Sequence, residues 1–230
     1  CAEAVELAKA NPRLGVGLHL ALVCGKAALS HDRIPGLANR AGELPDNAVT
    51  AGMRFFFDRK LKQQLFAEID AQFQKFHATG LGMDHVNGHL NTHLHPTIFS
   101  MLMENAERWK IRHLRLTDDL FWLNSRLASG EWGYRSSHAL IYRILSKRSA
   151  PVLRRKNIRH TERVFGLLQN ARVNEDYVLK LLPELPAGDS ELYSHPSLDE
   201  FKPEFEALIS PKVRALVQHR GIQLIRYQDL

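Results

Sequence analysis

The sequence predicts an α/β fold: a mostly parallel sheet with helices packed outside it, either open or closing toward a barrel. Three observations carry that expectation. Residues 15–23 alternate with a period of two, residues 84–94 do so again, and amphipathic helical segments separate and follow these runs. A strand–helix–strand succession needs crossovers, and crossovers build parallel sheets.

The elements follow in order. Residues 4–10 read as the end of a helix, stopped by Asn11-Pro12. In the run 15–23, Val16, Leu18, Leu20 and Leu22 share one face, while Gly15, Gly17, His19 and Ala21 share the other. One face is large and apolar and the other is small apart from one imidazole, which suits a strand that packs under helices and lines a cavity. Residues 30–50, rich in Gly, Pro, Asn and Asp, form a long loop. Phe55, Phe56 and Phe57 belong to a short apolar helix. A longer helix covers 61–77, with Leu61, Leu65, Ile69, Phe73 and Phe76 as its buried stripe, and Gly80 and Gly82 end it. Residues 84–94 form the next strand, and Pro96 opens a helix running to Trp109. Residues 111–116 are another short strand. Residues 120–173 are helical and arginine-rich, preceded by Asp118-Asp119, which is expected to cap a helix. A helix at 177–182, a short strand at 191–194, helices across 201–219 and a closing strand at 221–227 complete the chain.

At 230 residues, 44% apolar and 24% charged, the chain is ordinary globular material with enough length for one sizeable core. It reads as a single domain, 1–230, with a basic helical insertion around 120–173. No apolar run reaches the eighteen or so residues that a membrane span needs. Cys1-Ala2-Glu3 opens onto an amphipathic stretch rather than a secretory leader, and a start on Cys rather than Met suggests that the natural start is missing. Two cysteines, Cys1 and Cys24, cannot frame a disulfide scaffold or a paired-cysteine zinc site, so the cytoplasm is the expected compartment.

The twelve histidines are about twice the usual share, and they cluster. In the stretch from Asp84 to Pro96, extended backbone would turn His85, Asn87, His89, Asn91, His93 and His95 to one side. Val86, Leu90 and Leu94 would turn to the other. Six imidazole and amide groups on one face are costly to bury in an apolar core and natural around a metal or a polyol. In a helix, His89 and His93 would still share a face at a common metal-ligand spacing. The bland alternative is a solvated histidine-rich edge, and that reading suits the isolated His31, His77, His138 and His219. A second signal is Glu191-Leu192-Tyr193-Ser194-His195-Pro196, where a strand end would hold an imidazole at the edge at which such folds gather their sites.

Val16-Gly17-Leu18-His19-Leu20, the His85-x-x-x-His89-x-x-x-His93 block and Glu191-Leu-Tyr-Ser-His195-Pro stand in the order and spacing of the YdjC-like carbohydrate deacetylases, which the sequence resembles over most of its length. Asp84-His85-Val86-Asn87 and His93-Leu94-His95-Pro96 resemble the hopanoid-biosynthesis branch of that family. The resemblance implies a modified (β/α) barrel bearing one divalent metal ion, Mg or Zn, and removal of an acetyl group from an N-acetylglucosaminyl lipid or an N-acetylated oligosaccharide. It implies His19 and His89 as metal ligands, with His93 ligating or orienting beside them. It also implies His195 as the general acid with Glu191 holding its strand end. Arg115, His85, Asn87, Asn91 and His95 are the substrate-binding candidates. Two departures accompany it. The family's opening Asp-Asp-Phe-Gly motif is absent, so the barrel is expected to lack its N-terminal strand or strands and the 230-residue chain to be nearly inactive alone. Asn91 stands where relatives often carry histidine.

The basic excess is local, with nine Lys or Arg against a single acid, Glu162, between Arg135 and Arg163. Beside Leu140, Ile141, Ile144, Leu145, Val152 and Leu153, these cations suit an anionic membrane surface or simply a solvated cap. Peripheral contact at the inner membrane face through 135–163 is therefore an expectation, and a homodimer is compatible with the sequence. Nucleic acid is not expected as a partner, because no binding module or interleaved aromatic platform is present. Two other readings stand beside deacetylation: a metal-dependent phosphoesterase, disfavoured by the few carboxylates near the histidines, and an inactive sugar- or metal-binding relic.

Overall fold

The structure, a computed structural model, describes residues 2–128, 130–169 and 171–230. It gathers into two compact units, one formed by Cys1–Arg115, Ser149–His160 and Arg226–Asp229, the other by Leu116–Arg148, Thr161–Ile225 and Leu230.

The first unit contains α1 (Ala2–Ala10), β1 (Leu18–Leu20), α2 (Ala48–Phe57), α3 (Leu61–His77), β2 (Val86–Gly88) and α4 (Pro96–Glu104). β1 and β2 pair in parallel with Leu18, His19 and Leu20 opposite Val86, Asn87 and Gly88. Parallel bridges from Val86 to Leu114 and from His113 to Arg159 carry the pairing two chain segments further. Against these strands lies the α3 stripe Leu61, Leu65, Ile69 and Phe73, fully or almost fully buried with Leu20, Ile98, Leu102 and Leu114. Each such side chain stabilises the fold by about 1.5–3 kcal/mol through removal from water. Phe73 stacks on Trp109 at 4.7 Å, and the indole Nε1 donates to Asp70 at 2.8 Å. Phe76, expected in the stripe, is only half-buried.

The second unit contains α5 (Phe121–Leu127), the greater part of α6 (Trp132–Arg155), β3 (Arg163–Phe165), α7 (Glu175–Leu181), β4 (Ser190–Leu192), α8 (Lys202–Ile209) and α9 (Pro211–His219). β3 pairs in parallel with β4, placing Val164 opposite Glu191. Phe165, Val173, Tyr177, Val178, Leu181 and Ala207 form its core. Asn174 caps α7 by accepting from the Tyr177 amide, and Ser210 caps α9 by accepting from Val213. α6 passes from one unit to the other between Arg148 and Ser149, just before Pro151 interrupts its hydrogen-bond ladder.

Mixed α/β content and parallel pairing agree with expectation, but among the described residues the strands form two parallel pairs and no closed sheet. The strand expected over 84–94 stops at Gly88, because Leu90 and Asn91 are left-handed (φ 48° and 56°) and turn His89–Leu94 into a kinked 3₁₀ segment. Residues 111–116 contribute only isolated bridges. The closing strand is absent too: Gly221 takes a positive φ, and the chain ends in a 3₁₀ turn at Tyr227–Asp229. Nor does Asp118-Asp119 cap a helix. Asp118 pairs with Arg163, while Asp119 is buried and accepts from Leu168 N and Asn124 Nδ2. Burial pushes the Asp119 carboxyl up to about 7.

Candidate functional site

The alternation in residues 15–23 turns His19 outward from β1, and the loop after it is held from beneath. Gln72 on α3 brackets Ala21, accepting from its amide at 3.0 Å and donating to its carbonyl at 2.7 Å. Buried Glu68 accepts from the Ala28 and Leu29 amides and from Gln72. Both interrupt the apolar stripe of α3 at one-turn spacing, and that interruption is the signal in the sequence for a polar anchor rather than pure core.

β2 delivers Asn87 opposite His19, and the turn after Gly88 delivers His89. The rings of His19 and His89 meet edge to face with centroids 5.7 Å apart. The Asn87 amide lies 2.7 Å from His19 Nδ1 and has two useful orientations. In one, its oxygen accepts from Nδ1–H. In the other, its NH2 donates to Nδ1 while its oxygen accepts from Arg115 at 3.2 and 3.3 Å and from His85 Nε2 at 3.1 Å. The second serves more partners, since a guanidinium can only donate. Behind this amide, His85 Nδ1 donates to Asp84 at 2.9 Å, and the His85 ring stacks on Tyr227 at 4.5 Å. Asp84 also accepts from the Gln228 amide at 3.0 Å and the Tyr227 amide at 3.3 Å. Burial acts to raise its pKa, but these donors outweigh it and hold the carboxylate below its ordinary value.

His93 takes a different place from the one expected of a ligand. It is fully buried, its Nε2 donates to the Arg115 carbonyl at 2.9 Å, and its Nδ1, buried with no hydrogen-bond partner, faces Gly88. Burial drives its pKa down to about 3, so it is neutral. The left-handed turn explains the outcome, because it breaks the strand alternation that would have aligned His93 with His89. His95 packs edge to face on Phe55 and Phe56 of α2 at 6.0 and 6.3 Å, and burial lowers its pKa too. Asn91 sits half-buried in the turn itself. Arg115 is buried inside the cluster against Asn87.

Two imidazoles with Nε2 and Nδ1 donors suit a divalent cation, and His19 and His89 supply that pair. Among the described residues no group of three or more His, Cys, Asp or Glu is placed to hold a metal ion, and of the two roles expected for His93, ligating or orienting, its burial against the Arg115 carbonyl suits the second.

In the second unit, His195 follows β4 and its Nε2 lies 2.6 Å from the Tyr193 hydroxyl. Glu204, buried at the start of α8, accepts from the backbone of His195 and from Val173 N at 2.8 Å, with His195 Nδ1 3.9 Å from its oxygen. Glu204 thus steadies the backbone of His195, and Glu191, expected to hold the strand end, lies in the β3–β4 register opposite Val164. Tyr193 could have been foreseen, since residues two apart on extended chain share a face.

The family profile described as YdjC-like protein matches residues 1–219. A carbohydrate deacetylase of Geobacillus stearothermophilus is 34% identical over 110 residues, 47% of this chain and 40% of that protein, so the match spans about two fifths of the relative's length. A carbohydrate deacetylase of Clostridium beijerinckii is 25% identical over 247 residues, covering 99% of this chain and 82% of its own. A crystal structure from Enterococcus faecalis, described as a cellobiose-phosphate cleavage protein, superposes with a TM-score of 0.67 at 21% identity, covering 99% of this chain and 82% of that one, and shows a shared fold. With the profile spanning nearly the whole sequence, the chain belongs to the YdjC-like family.

Proposed function

We propose that the protein is a metal-dependent hydrolase that removes the acetyl group from an N-acetylated amino sugar. The observation that carries this reading is the meeting of His19, within β1, and His89, directly after its parallel partner β2. It is supported by membership of the YdjC-like family and by similarity to proteins named carbohydrate deacetylases. The Asp84–Asn87 and His93–Pro96 motifs support the narrower proposal, an N-acetylglucosaminyl hopanoid as substrate in a modified barrel of the family type.

A divalent ion, Mg or Zn, would lower the pKa of a water and polarise the acetyl carbonyl. His19 and His89 would hold it, and Asn87 would fix the ring of His19 through Nδ1. His93, neutral and bonded to the Arg115 carbonyl, holds the turn on which His89 sits and moves no proton. For His195 we propose protonation of the leaving amine, with Tyr193 on its Nε2 and Glu204 fixing its backbone. Glu191 then acts as part of the strand pair that sets this segment.

The test is acetate release by the full-length protein from N-acetylglucosamine oligosaccharides and from an N-acetylglucosaminyl hopanoid, before and after chelation and with Mg or Zn restored. Loss on chelation, recovery with metal, and loss in His19→Ala and His89→Ala are expected. Acetate release untouched by chelation and by both substitutions would overturn the proposal.

A further inference from the structure

α6 is amphipathic the wrong way round. Its inward positions include Arg135 and Ser146, both buried, while Leu140, Ile141 and Ile144 stand in solvent. The inward polar groups are satisfied: Arg135 donates to the Leu168 and Ala128 carbonyls and to Gln169, and Ser146 accepts from Thr117 N at 3.0 Å. The outer apolar residues therefore serve no core, although a helix normally turns such a stripe inward.

Leu140, Ile141 and Ile144 occupy one side of the helix, interleaved with exposed Arg143, Lys147 and Arg148. Among the described residues no carboxylate pairs with these three cations, and α6 contains no Asp or Glu. At its N-terminal end stand Trp132, 54% exposed, and Trp122 of α5, 80% exposed, both in ring contact with Phe121. Single exposed apolar residues are common, but aliphatic residues and unopposed cations on one helix face, with exposed indoles at its N-terminal end, form the pattern of an interfacial helix. No helix of the described residues is long and apolar enough to cross a membrane.

We propose that this face of α6, with Trp122 and Trp132, docks on an anionic lipid surface. Charge selects that occupant. A second copy of the same helix would set cation against cation, whereas anionic headgroups complement Arg143, Lys147 and Arg148 while the acyl boundary receives the aliphatic side chains and indoles. The inference is independent of the chemistry proposed above and is tested without any sugar.

The chain has three tryptophans, and the third, Trp109, is buried against Phe73. Adding phosphatidylglycerol–phosphatidylcholine vesicles should therefore shift tryptophan emission to the blue and carry the protein into the lipid pellet, with both effects weakening as salt rises. Pure phosphatidylcholine should do neither. Trp122→Phe with Trp132→Phe should abolish the shift, leaving only the unresponsive Trp109. Lys147→Gln with Arg148→Gln should weaken binding roughly 30-fold at low salt. These residues are exposed, so an unchanged thermal midpoint confirms that the variants are folded. No response to anionic vesicles, equal binding to neutral ones, or unaltered binding by the folded double variants would overturn the proposal.

Discussion

His19 and Asn87 are register partners across β1 and β2, and the amide of one lies 2.7 Å from Nδ1 of the other. The amide orientation is consequently tied to the His19 tautomer. When the amide donates to Nδ1, a neutral His19 carries its proton on Nε2. When its oxygen accepts from Nδ1–H, Nε2 presents a lone pair. Metal-binding histidines almost always use the accepting arrangement, so an ion on His19 would turn the amide away from the orientation that also serves Arg115 and His85. Asn87→Ala should therefore weaken metal affinity by about 10–100-fold, whereas Asn87→Asp, which can only accept when ionised, should bind at least as tightly as the native protein. Titration calorimetry with Zn or Mg measures both. Equal affinity in all three proteins would show that Asn87 does not orient His19.

Two buried groups should give stability opposite pH slopes. His93 has a folded pKa of about 3 against an ordinary 6.5, so between those values the unfolded chain holds a proton that the folded chain lacks. Its contribution is full above pH ~6.5 and is lost as pH falls, at up to about 1.4 kcal/mol per unit. Asp119 reaches about 7 against 3.8, so it keeps its proton when folded, and its contribution is lost as pH rises across that window. Urea unfolding at several pH values should show His93→Gln losing less stability than native on acidification and Asp119→Asn gaining less. Native pH dependence in both variants would refute the assignment.

In the full-length protein, His195→Ala should lower kcat for acetate release by about 10²–10⁴-fold with little change in KM, because the proton is needed in the transition state. Tyr193→Phe removes the 2.6 Å contact to Nε2 while leaving the ring in place. It should lower kcat with little change in KM, by less than His195→Ala does. A Tyr193→Phe kcat equal to the native one would assign the hydroxyl a packing role only.

Helices were largely legible in the sequence. The Leu61–His77 boundaries agree at both ends, since four-residue spacing of large apolar groups leaves one possible face and Gly80 stops it. The approach of His19 to His89 also follows from alternation in β1 and β2. What failed was extrapolation through Leu90: nothing in that side chain announces a left-handed backbone, which costs about 1–2 kcal/mol per residue and is fixed by tertiary contacts. Asn91 alone hinted at it, as asparagine tolerates that conformation. The consequence reached the site, because His93 turned into the core and His95 packed against Phe55 and Phe56 instead of sharing a face with His89.

Gly17 is tightly confined. A Cβ there would stand 2.6 Å from the His85 carbonyl oxygen and 2.7 Å from its ring. Gly17→Ala should destabilise the protein by about 1–3 kcal/mol and lower the calorimetric midpoint, since backbone must yield. Gly25→Ala, with nothing within 4 Å of the added carbon, is the control. Equal midpoints for the two variants would mean that β1 and β2 tolerate separation.

The bonds from Tyr227 and Gln228 to Asp84 bring together residues 143 and 144 positions apart. On the ribosome, at about 5–20 residues per second, Asp84 is made roughly 7–30 s before its backbone donors. The His85–Asn87–His19 array must wait through that interval with its carboxylate lacking both backbone donors, while residues 116–148 and 161–225 of the second unit are synthesised in between. Completion of the candidate site therefore waits on residues made 143 and 144 positions after its carboxylate, and the nascent chain spends that interval with the imidazole cluster assembled incompletely.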